Sequence, residues 1–317
     1  MKNILIIAGL ILGIWFIYEV RQVLILLFVA FILVSALHPL VIKMVKNKVP
    51  RPLAIIIVFL GLIAFLALGL FSILPPLVRE TVDLIRNSPY YLSPLLAVLN
   101  ISPADFTPQL APLSSGIVKA TVTIFSDVIS FVALIVLTLY ALIERDNLKG
   151  DLEQHISVEK TEKIMIIVKK VEEKLGSWVN GQAVLCVIIG VATYLGLRLL
   201  NIQYALPLAI MAGMLEILPT MGPLISAVPS VLLGLAVSPL MGLAVAALYL
   251  LIQQTENHFL VPQIMKKAVG LPPLVTIIAI MVGAKIAGIP GAILAIPLLL
   301  TIQTVWESIS LSHNPLK

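Results

Sequence analysis

Long apolar stretches with almost no charge constrain the fold of this chain more than any other feature. Between residues 183 and 252 only Arg198 and Glu216 are charged. Several of the apolar runs approach the roughly 20 residues that a helix needs to cross the hydrocarbon of a bilayer. The sequence therefore predicts an all-α, polytopic membrane protein. The runs before residue 201 are 4–18, 23–37, 53–74, 122–143 and 183–200.

The composition excludes several other classes of protein. With 60% hydrophobic and 12% charged residues, the 317-residue chain has too few polar side chains to cover a soluble globule. A single cysteine, Cys186, rules out an intrachain disulfide and a cysteine metal site. His258 and His313 have no neighbouring ligands. We therefore expect no metal and no cofactor.

The Lys and Arg residues predict the orientation in the membrane. The net charge of +5 gathers in loops beside apolar runs, where basic residues mark the cytoplasmic side, so we expect no nucleic-acid partner. The loop with Lys43, Lys46, Lys48 and Arg51 holds no acid, and the pair Lys266-Lys267 is also predicted inside. By alternation, both termini are cytoplasmic and the proline-rich residues 77–116 are external.

Composition divides the chain into five segments. Within residues 144–182, apolar residues at helical spacing (Ile164, Ile167, Val168, Val171 and Leu175) predict an amphipathic helix that leads into the fifth span. It either docks on the membrane domain or couples regulation to it. The segments are 1–76 (N-terminal spans), 77–116 (external interfacial helices and loops), 117–143 (fourth span), 144–182 (cytoplasmic helical segment) and 183–317 (transport region).

Prolines and glycines interrupt the transport region in two similar places. Pro207, Pro219, Pro223, Pro229 and Pro239 cut the first part into arms of about 14–15 residues, which reach only about 22 Å and fall short of a full crossing. Downstream, residues 273–286 and 290–305 form two more short arms. A Gly/Pro pair followed by a later Pro recurs with the same separation. This predicts an inverted repeat of two units, 183–237 and 240–305, each made of one full span followed by a helical hairpin. Interrupted helices in two corresponding halves indicate a transport site.

Glu216 is the leading candidate for a site residue. An ionisable group near the membrane centre costs at least about 2.5–3.5 kcal/mol, so it normally faces a cavity or a partner. The equivalent charged residue of the second hairpin is Lys285, and a salt bridge between the two tips is the structural alternative to a transport role.

The remaining candidates are helix breakers and polar side chains at span ends. The breakers either expose backbone groups to a solute or serve packing alone; they are Pro219, Gly222, Pro223, Gly288, Pro290 and Gly291. The polar side chains either bind a hydroxyl-rich solute or cap helices at the interface; they are Asn180, Gln182, Gln253, Gln254, Glu256 and Asn257.

Four motifs in the last third carry a family resemblance. They are Glu216-Ile-Leu-Pro-Thr-Met-Gly-Pro223, Gln253-Gln254-Thr-Glu-Asn257, Val261-Pro-Gln-Ile-Met265 and Ala268-Val-Gly-Leu-Pro-Pro273. With them the chain resembles the autoinducer-2 exporter family, the PerM-like permeases. The resemblance implies about eight membrane segments in the inner membrane, homo-oligomers such as pentamers, and elevator-like movement of the hairpins. It implies export of autoinducer-2 for some members and sodium or lithium exchange for protons for others.

Three functions remain open on the sequence alone. No catalytic triad, metal cluster or phosphate-binding loop appears, so we expect a non-enzyme driven by a gradient. The first function is export of a small polar organic solute such as autoinducer-2. The second is sodium(lithium)/proton antiport, which the single clear intramembrane carboxylate, Glu216, favours less. The third is a non-transporting membrane scaffold or regulator.

Overall fold

The computed structural model describes residues 19–64, 128–145, 147–219, 221–265 and 272–313, with isolated positions between residues 12 and 93. These residues are helical and include no strand, which confirms the prediction of an all-α fold. The predicted first span (4–18), the external segment (77–116) and the basic pair at residues 266–267 lie outside the described residues, apart from a few of the isolated positions.

The helices follow one another with short connections. A π-helical turn, Glu256–Leu260, joins helices α8 and α9. In chain order the helices are α1 (Arg21–Lys46), α2 (Arg51–Ala64), α3 (Val128–Glu144), α4 (Leu148–His155), α5 (Val158–Leu199), α6 (Ala205–Leu215), α7 (Met221–Val237), α8 (Pro239–Thr255), α9 (Val261–Ile264) and α10 (Pro273–His313).

Among the described residues, three helical stretches have the length and apolar composition of a membrane span. They are α1, α5 and Leu274–Ser310 within α10, and the last of these contains a break in the helix at Ala287 and Gly288. Helices α2, α6 and α7 are apolar but shorter, as is Ser130–Glu144 of α3. The chain is therefore a membrane-integral protein, while the count of about eight membrane segments stays a prediction.

Helix α10 is two antiparallel arms rather than one rod. Ala287 (φ −136°, ψ 21°) and Gly288 (φ 63°, ψ −145°) leave the helical region of backbone space. A Cβ on Gly283 would overlap the carbonyl oxygen of Gly291, and the reverse is also true. Residues eight apart in a continuous helix are separated by about 12 Å, so the chain must reverse at 287–288. The arms are 273–286 and 289–313, as the predicted second hairpin requires.

The first interruption lies between the end of α6 at Leu215 and the start of α7 at Met221. Pro219 lies within it, but Gly222 and Pro223 belong to the first turn of α7, where a missing proline N–H leaves no bond unmade. A Cβ on Gly222 would overlap the carbonyl oxygen of Leu215, so only glycine lets the two helices meet this closely. Pro229 lies inside α7. The sequence predicted that each of these prolines interrupts the helix, and this prediction is wrong for Pro229.

The chain packs as two units, and the second contains both interruptions. The first unit comprises residues 1–59 and 127–176, and the second comprises 60–126 and 177–317. Helices α7 and α8 pack against each other across the single residue Ser238, with Gly234 against Gly242. Seven buried residues form the core there: Leu197, Ile202, Ala205, Leu208, Leu233, Val245 and Tyr249.

In the first unit, the beginning of α5 packs on the described membrane helices. A Cβ on Gly176 would overlap the carbonyl oxygen of Ser35, so α1 and α5 touch backbone to backbone. Val171 and Leu175 of the predicted amphipathic face are buried, whereas Ile164 is exposed. The amphipathic helix continues into the apolar part of α5 without a break, over 42 residues.

Candidate functional site

Glu216 lies at the start of the first interruption and is buried. It directly follows α6, and only 1% of its surface is exposed. Its backbone carbonyl accepts a hydrogen bond from Nε2 of Gln182, but neither carboxylate oxygen has a hydrogen-bond partner among the described residues. A carboxylate so placed in a membrane protein needs a proton, a cation or a polar ligand to balance it.

Glu256 lies beside Glu216. It is the first residue of the π-helical turn, it is 4% exposed, and its carboxyl group is close enough to that of Glu216 for the two charges to interact. A π-helical turn contains i→i+5 hydrogen bonds and is found frequently at functional sites. Here Glu256 is buried while the next two residues, Asn257 and His258, are exposed. The structure thus pairs two buried carboxylates from different elements.

Gln182 of α5 is the third member of this cluster. It is 4% exposed, and its Oε1 has no hydrogen-bond partner among the described residues. A Cβ on the preceding Gly181 would lie 2.8 Å from Sδ of Met265, so glycine lets the segment after the π-helical turn pack directly on α5. The contact between Gly181 and Met265 therefore places the part of α5 that holds Gln182 next to the π-helical turn. We call Gln182, Glu216 and Glu256 the carboxylate cluster.

Cys186 lies beside the carboxylate cluster. It lies one helical turn after Gln182 on α5, so both side chains lie on one face of the helix. It is close enough to interact with Gln182 and with Glu216. It is partly buried and has no disulfide partner.

The structure does not bring the second hairpin tip to Glu216. Lys285 is exposed on the first arm of α10, and no ion pair joins it to Glu216 in the described part of the chain. Gly288 and Pro290 are exposed as well, and Gly291 is half-buried against Gly283. The salt bridge expected between the two tips is therefore not formed among the described residues, where the charged group that acts on Glu216 is Glu256 of the π-helical turn.

The other polar candidates divide into buried and exposed groups. Of the six at span ends, only Gln182 and Glu256 are buried and lie with Glu216. Asn180, Gln254 and Asn257 are exposed, and Gln253 is half-buried. The exposed side chains fit the interfacial alternative better than a closed site.

Three buried polar side chains of the second unit were missed by sequence reasoning. Ser226 and Ser230 lie one turn apart on α7, and Ser226 Oγ donates to the Pro223 carbonyl at 3.1 Å. The hydroxyls of Ser230 and Tyr249 are 2.7 Å apart, which links α7 to α8. Two serines four residues apart in an apolar helix could have been recognised in the sequence. Nothing in the sequence marked Tyr249 of α8 as the partner of Ser230.

The carboxylate cluster offers oxygen ligands and negative charge. No lysine or arginine pairs with either carboxylate among the described residues. No group of three or more His, Cys, Asp or Glu side chains that could hold a metal ion occurs there either. The arrangement can accept hydrogen bonds, take up a proton or attract a small cation.

Comparison with known proteins identifies the family. The family described as "AI-2E family transporter" matches residues 4–310. "Putative transport protein YueF" of Bacillus subtilis (strain 168) is 26% identical over 296 residues, covering 85% of this chain and 79% of that protein. "AI-2 transport protein TqsA" of Escherichia coli (strain K12) is 25% identical over 296 residues, covering 89% of this chain and 83% of that protein.

A third relative has a different name. The "Sodium-lithium/proton antiporter" of Halobacillus andaensis is 24% identical over 336 residues, covering 94% of both chains. The relatives agree on transport and differ in what their names say is transported. Because the family match spans nearly the whole sequence, this membrane-integral chain belongs to the AI-2E family of transporters.

Proposed function

We propose that the chain exports a small polar organic solute, such as autoinducer-2, across the cytoplasmic membrane, driven by a gradient. The observation that carries this proposal is Glu216, a buried carboxylate at the interruption between α6 and α7 that has no hydrogen-bond partner in the described part of the chain. Interrupted helices are tolerated at membrane depth where they line a cavity or are buried in protein, and transporters use them to hold substrates.

The substrate class follows from the chemistry of the cluster and from one relative's name. Carboxylate and amide oxygens accept hydrogen bonds from hydroxyl groups, which suits a compact hydroxylated solute better than an apolar one. TqsA is named as an AI-2 transport protein. The two hairpins of the second unit would carry the solute, in keeping with the elevator-like movement implied by the family resemblance.

Sodium(lithium)/proton antiport is the second candidate, and the pairing of Glu216 with Glu256 favours it. Two adjacent buried carboxylates repel each other unless a proton or cation lies between them. The Halobacillus andaensis relative is named for this activity. A scaffold without transport is the least supported alternative, because it gives no reason to bury two unpaired carboxylates in a membrane protein.

The test is flux in proteoliposomes. The Glu216→Gln variant is expected to lose transport about tenfold or more, because the amide cannot carry the charge that the solute or coupling ion compensates. Glu162→Gln is the matched control, since Glu162 is an exposed carboxylate on α5. Labelled furanone is the substrate on one arm, and sodium and lithium gradients with a pH-sensitive dye form the other.

Each outcome separates the candidates. Furanone flux that is lost in Glu216→Gln and kept in Glu162→Gln supports the exporter. Cation-driven proton movement without furanone flux supports the antiporter. Unchanged flux in a correctly assembled Glu216→Gln variant contradicts both assignments, and no flux of either kind in the unaltered protein supports the scaffold.

A further inference from the structure

We propose that a cavity between α1 and the beginning of α5 binds the headgroup of an anionic phospholipid. The cavity has a volume of about 410 Å³ and starts at Ser35, where α1 meets Gly176 of α5, and it extends to Lys46 at the end of α1. Ligand pockets in proteins measure about 300–1,000 Å³, so a headgroup fits. All residues that line the cavity belong to the first unit, so this inference goes beyond the proposed transport function, which rests on the second unit.

Basic side chains from three parts of the first unit line the cavity. Lys43 and Lys46 come from the last turn of α1, Lys169 comes from α5, and Arg145 directly follows α3. Arg145 is paired with Glu172. Within the described part of the chain, none of the three lysines forms an ion pair with an acidic side chain. Their charges are therefore available to an anion.

The remaining charge of the cavity is positive. Besides the acid that pairs with Arg145, the cavity is lined by one further carboxylate, Glu173, against the three lysines. Lysines in the last turn of α1 also complement the negative end of the helix dipole. That effect does not account for Lys169, which lies in the interior of α5. A bound anion explains why lysines of both helices converge here.

Apolar side chains beside the lysines favour a lipid over a soluble anion. Pro39 and Ile42 line the cavity and are exposed, and Val45, three residues after Ile42 on α1, is exposed as well. The same helix has the length and composition of a membrane span. A soluble anion would leave this apolar surface uncovered. Acyl chains would cover it while the phosphate group reaches the lysines.

The predicted position in the membrane supplies the ligand. The sequence predicts that the loop after α1 is cytoplasmic, which puts the cavity at the cytoplasmic leaflet. Anionic lipids of that leaflet attract basic residues next to membrane helices, and basic pockets between such helices bind headgroups. Because the headgroup contacts α1 and α5 at once, its binding should also stabilise the folded protein.

Native mass spectrometry of the purified full-length protein measures the bound lipid. With equal amounts of phosphatidylglycerol and phosphatidylcholine in the detergent, phosphatidylglycerol should be retained preferentially. The double variant Lys46→Gln with Lys169→Gln should weaken its binding about tenfold or more, because each basic residue near an anionic lipid contributes about fivefold in affinity. Lys48→Gln with Lys170→Gln is the matched control, since it removes the same charge from exposed lysines that do not line the cavity. The control should bind like the unaltered protein.

Thermal stability separates a lipid from a free anion. Phosphatidylglycerol should raise the melting temperature of the unaltered protein and of the control, and raise that of the Lys46→Gln, Lys169→Gln variant much less. Inorganic phosphate and glycerophosphoglycerol, which is the headgroup without acyl chains, should raise it little. An equal rise with either soluble compound would show that the cavity binds a soluble anion and would overturn the lipid assignment.

Two further results would contradict the inference. Equal retention of phosphatidylcholine and phosphatidylglycerol would mean that the charge of the lipid is not recognised. Equal loss of phosphatidylglycerol in the two double variants would mean that the cavity is not the site. Size-exclusion profiles show whether each variant is assembled. If the cavity variant is not, Lys169→Gln alone should weaken binding about fivefold relative to Lys170→Gln, and equal binding by these two would overturn the proposal.

Discussion

At the scale of single residues, Arg145 and Glu172 show how the first unit holds a buried charge. Nε of Arg145 is 3.0 Å from both carboxylate oxygens of Glu172, and its Nη2 also contacts Oε2. Glu172 is 6% exposed. A buried carboxylate depends on its partner more than an exposed one, because removing the partner leaves an uncompensated charge.

We predict that Arg145→Gln lowers the free energy of unfolding by about 3–5 kcal/mol, because Glu172 then stays buried without its charge partner. Replacing both residues, Arg145→Met with Glu172→Leu, should recover most of the loss. Chemical unfolding in detergent measures both. Lys163→Gln, which removes the exposed pair with Glu159, should leave the unfolding midpoint unchanged. If Arg145→Gln has the same unfolding midpoint as Lys163→Gln, the Arg145–Glu172 pair is not needed for stability.

The carboxylate cluster shows what single residues reveal in the sequence. Glu216 was found because it is the only acidic residue in a long apolar stretch. The sequence placed Glu256 only in a group of polar residues at a span end, and it indicated Lys285 as the partner of Glu216 because Lys285 is the equivalent charged residue of the second hairpin. Helical periodicity assumes 3.6 residues per turn, so it cannot foresee a π-helical turn that buries Glu256 and exposes Asn257.

At the scale of elements, both hairpins are closed by a glycine that touches the opposite arm. Gly222 meets the Leu215 carbonyl in the first hairpin, and Gly291 meets Gly283 in the second. Gly288 differs: a Cβ there would meet nothing within 4 Å, but its φ of 63° favours glycine. Close approach and backbone conformation are thus separate requirements at separate positions.

Alanine substitutions should separate these two requirements. Gly222→Ala and Gly291→Ala are expected to lower thermal stability strongly or to prevent assembly, because backbone atoms block the added methyl group and cannot move aside. Gly288→Ala should cost about 1–3 kcal/mol, because φ 63° with ψ −145° lies close to a backbone region that almost only glycine adopts. Gly61→Ala, in the open middle of α2, should be neutral or slightly stabilising.

Thermal stability followed by size exclusion ranks these four variants. The expected order of stability is Gly61→Ala first, Gly288→Ala next, and the two close-approach variants last. If Gly222→Ala is as stable as Gly61→Ala, the close contact between Gly222 and the Leu215 carbonyl does not exist in the protein.

The sequence predicted the presence of the two hairpins better than the residues at which their helices end. Prolines and glycines located both hairpins, because a residue without a backbone N–H or without a Cβ marks places where helices change direction. Yet Pro229 lies within α7 and Pro290 lies just after the reversal at Ala287 and Gly288. A proline is compatible with the first turn of a helix and with some interior positions, so its position alone does not locate the break.

At the scale of the whole molecule, the orientation in the membrane stays a prediction from charge. It places both termini and the loop between α1 and α2 in the cytoplasm, and residues 77–116 outside. The apolar surface of α1, α5 and α10 shows that these helices belong in lipid or in contact with other chains.

Cysteine labelling tests this orientation. Cys186 is the only cysteine, so Cys186→Ser gives a background without thiols. In intact cells a membrane-impermeant maleimide should label Ser114→Cys but not Asn47→Cys or Ser310→Cys. The last two should react after the membrane is opened. Labelling of Asn47→Cys in intact cells would invert the topology, and opposite results at residues 47 and 310 would mean an odd number of crossings between them.

The glycine contacts at the hairpin tips also limit how transporters of this kind can diverge in evolution. Any side chain at residue 222 or 291 would collide with backbone, so these positions cannot be varied to suit a new solute without loss of the hairpin. Natural variation that changes what is transported should therefore fall on other side chains of the second unit, while these two glycines stay constant.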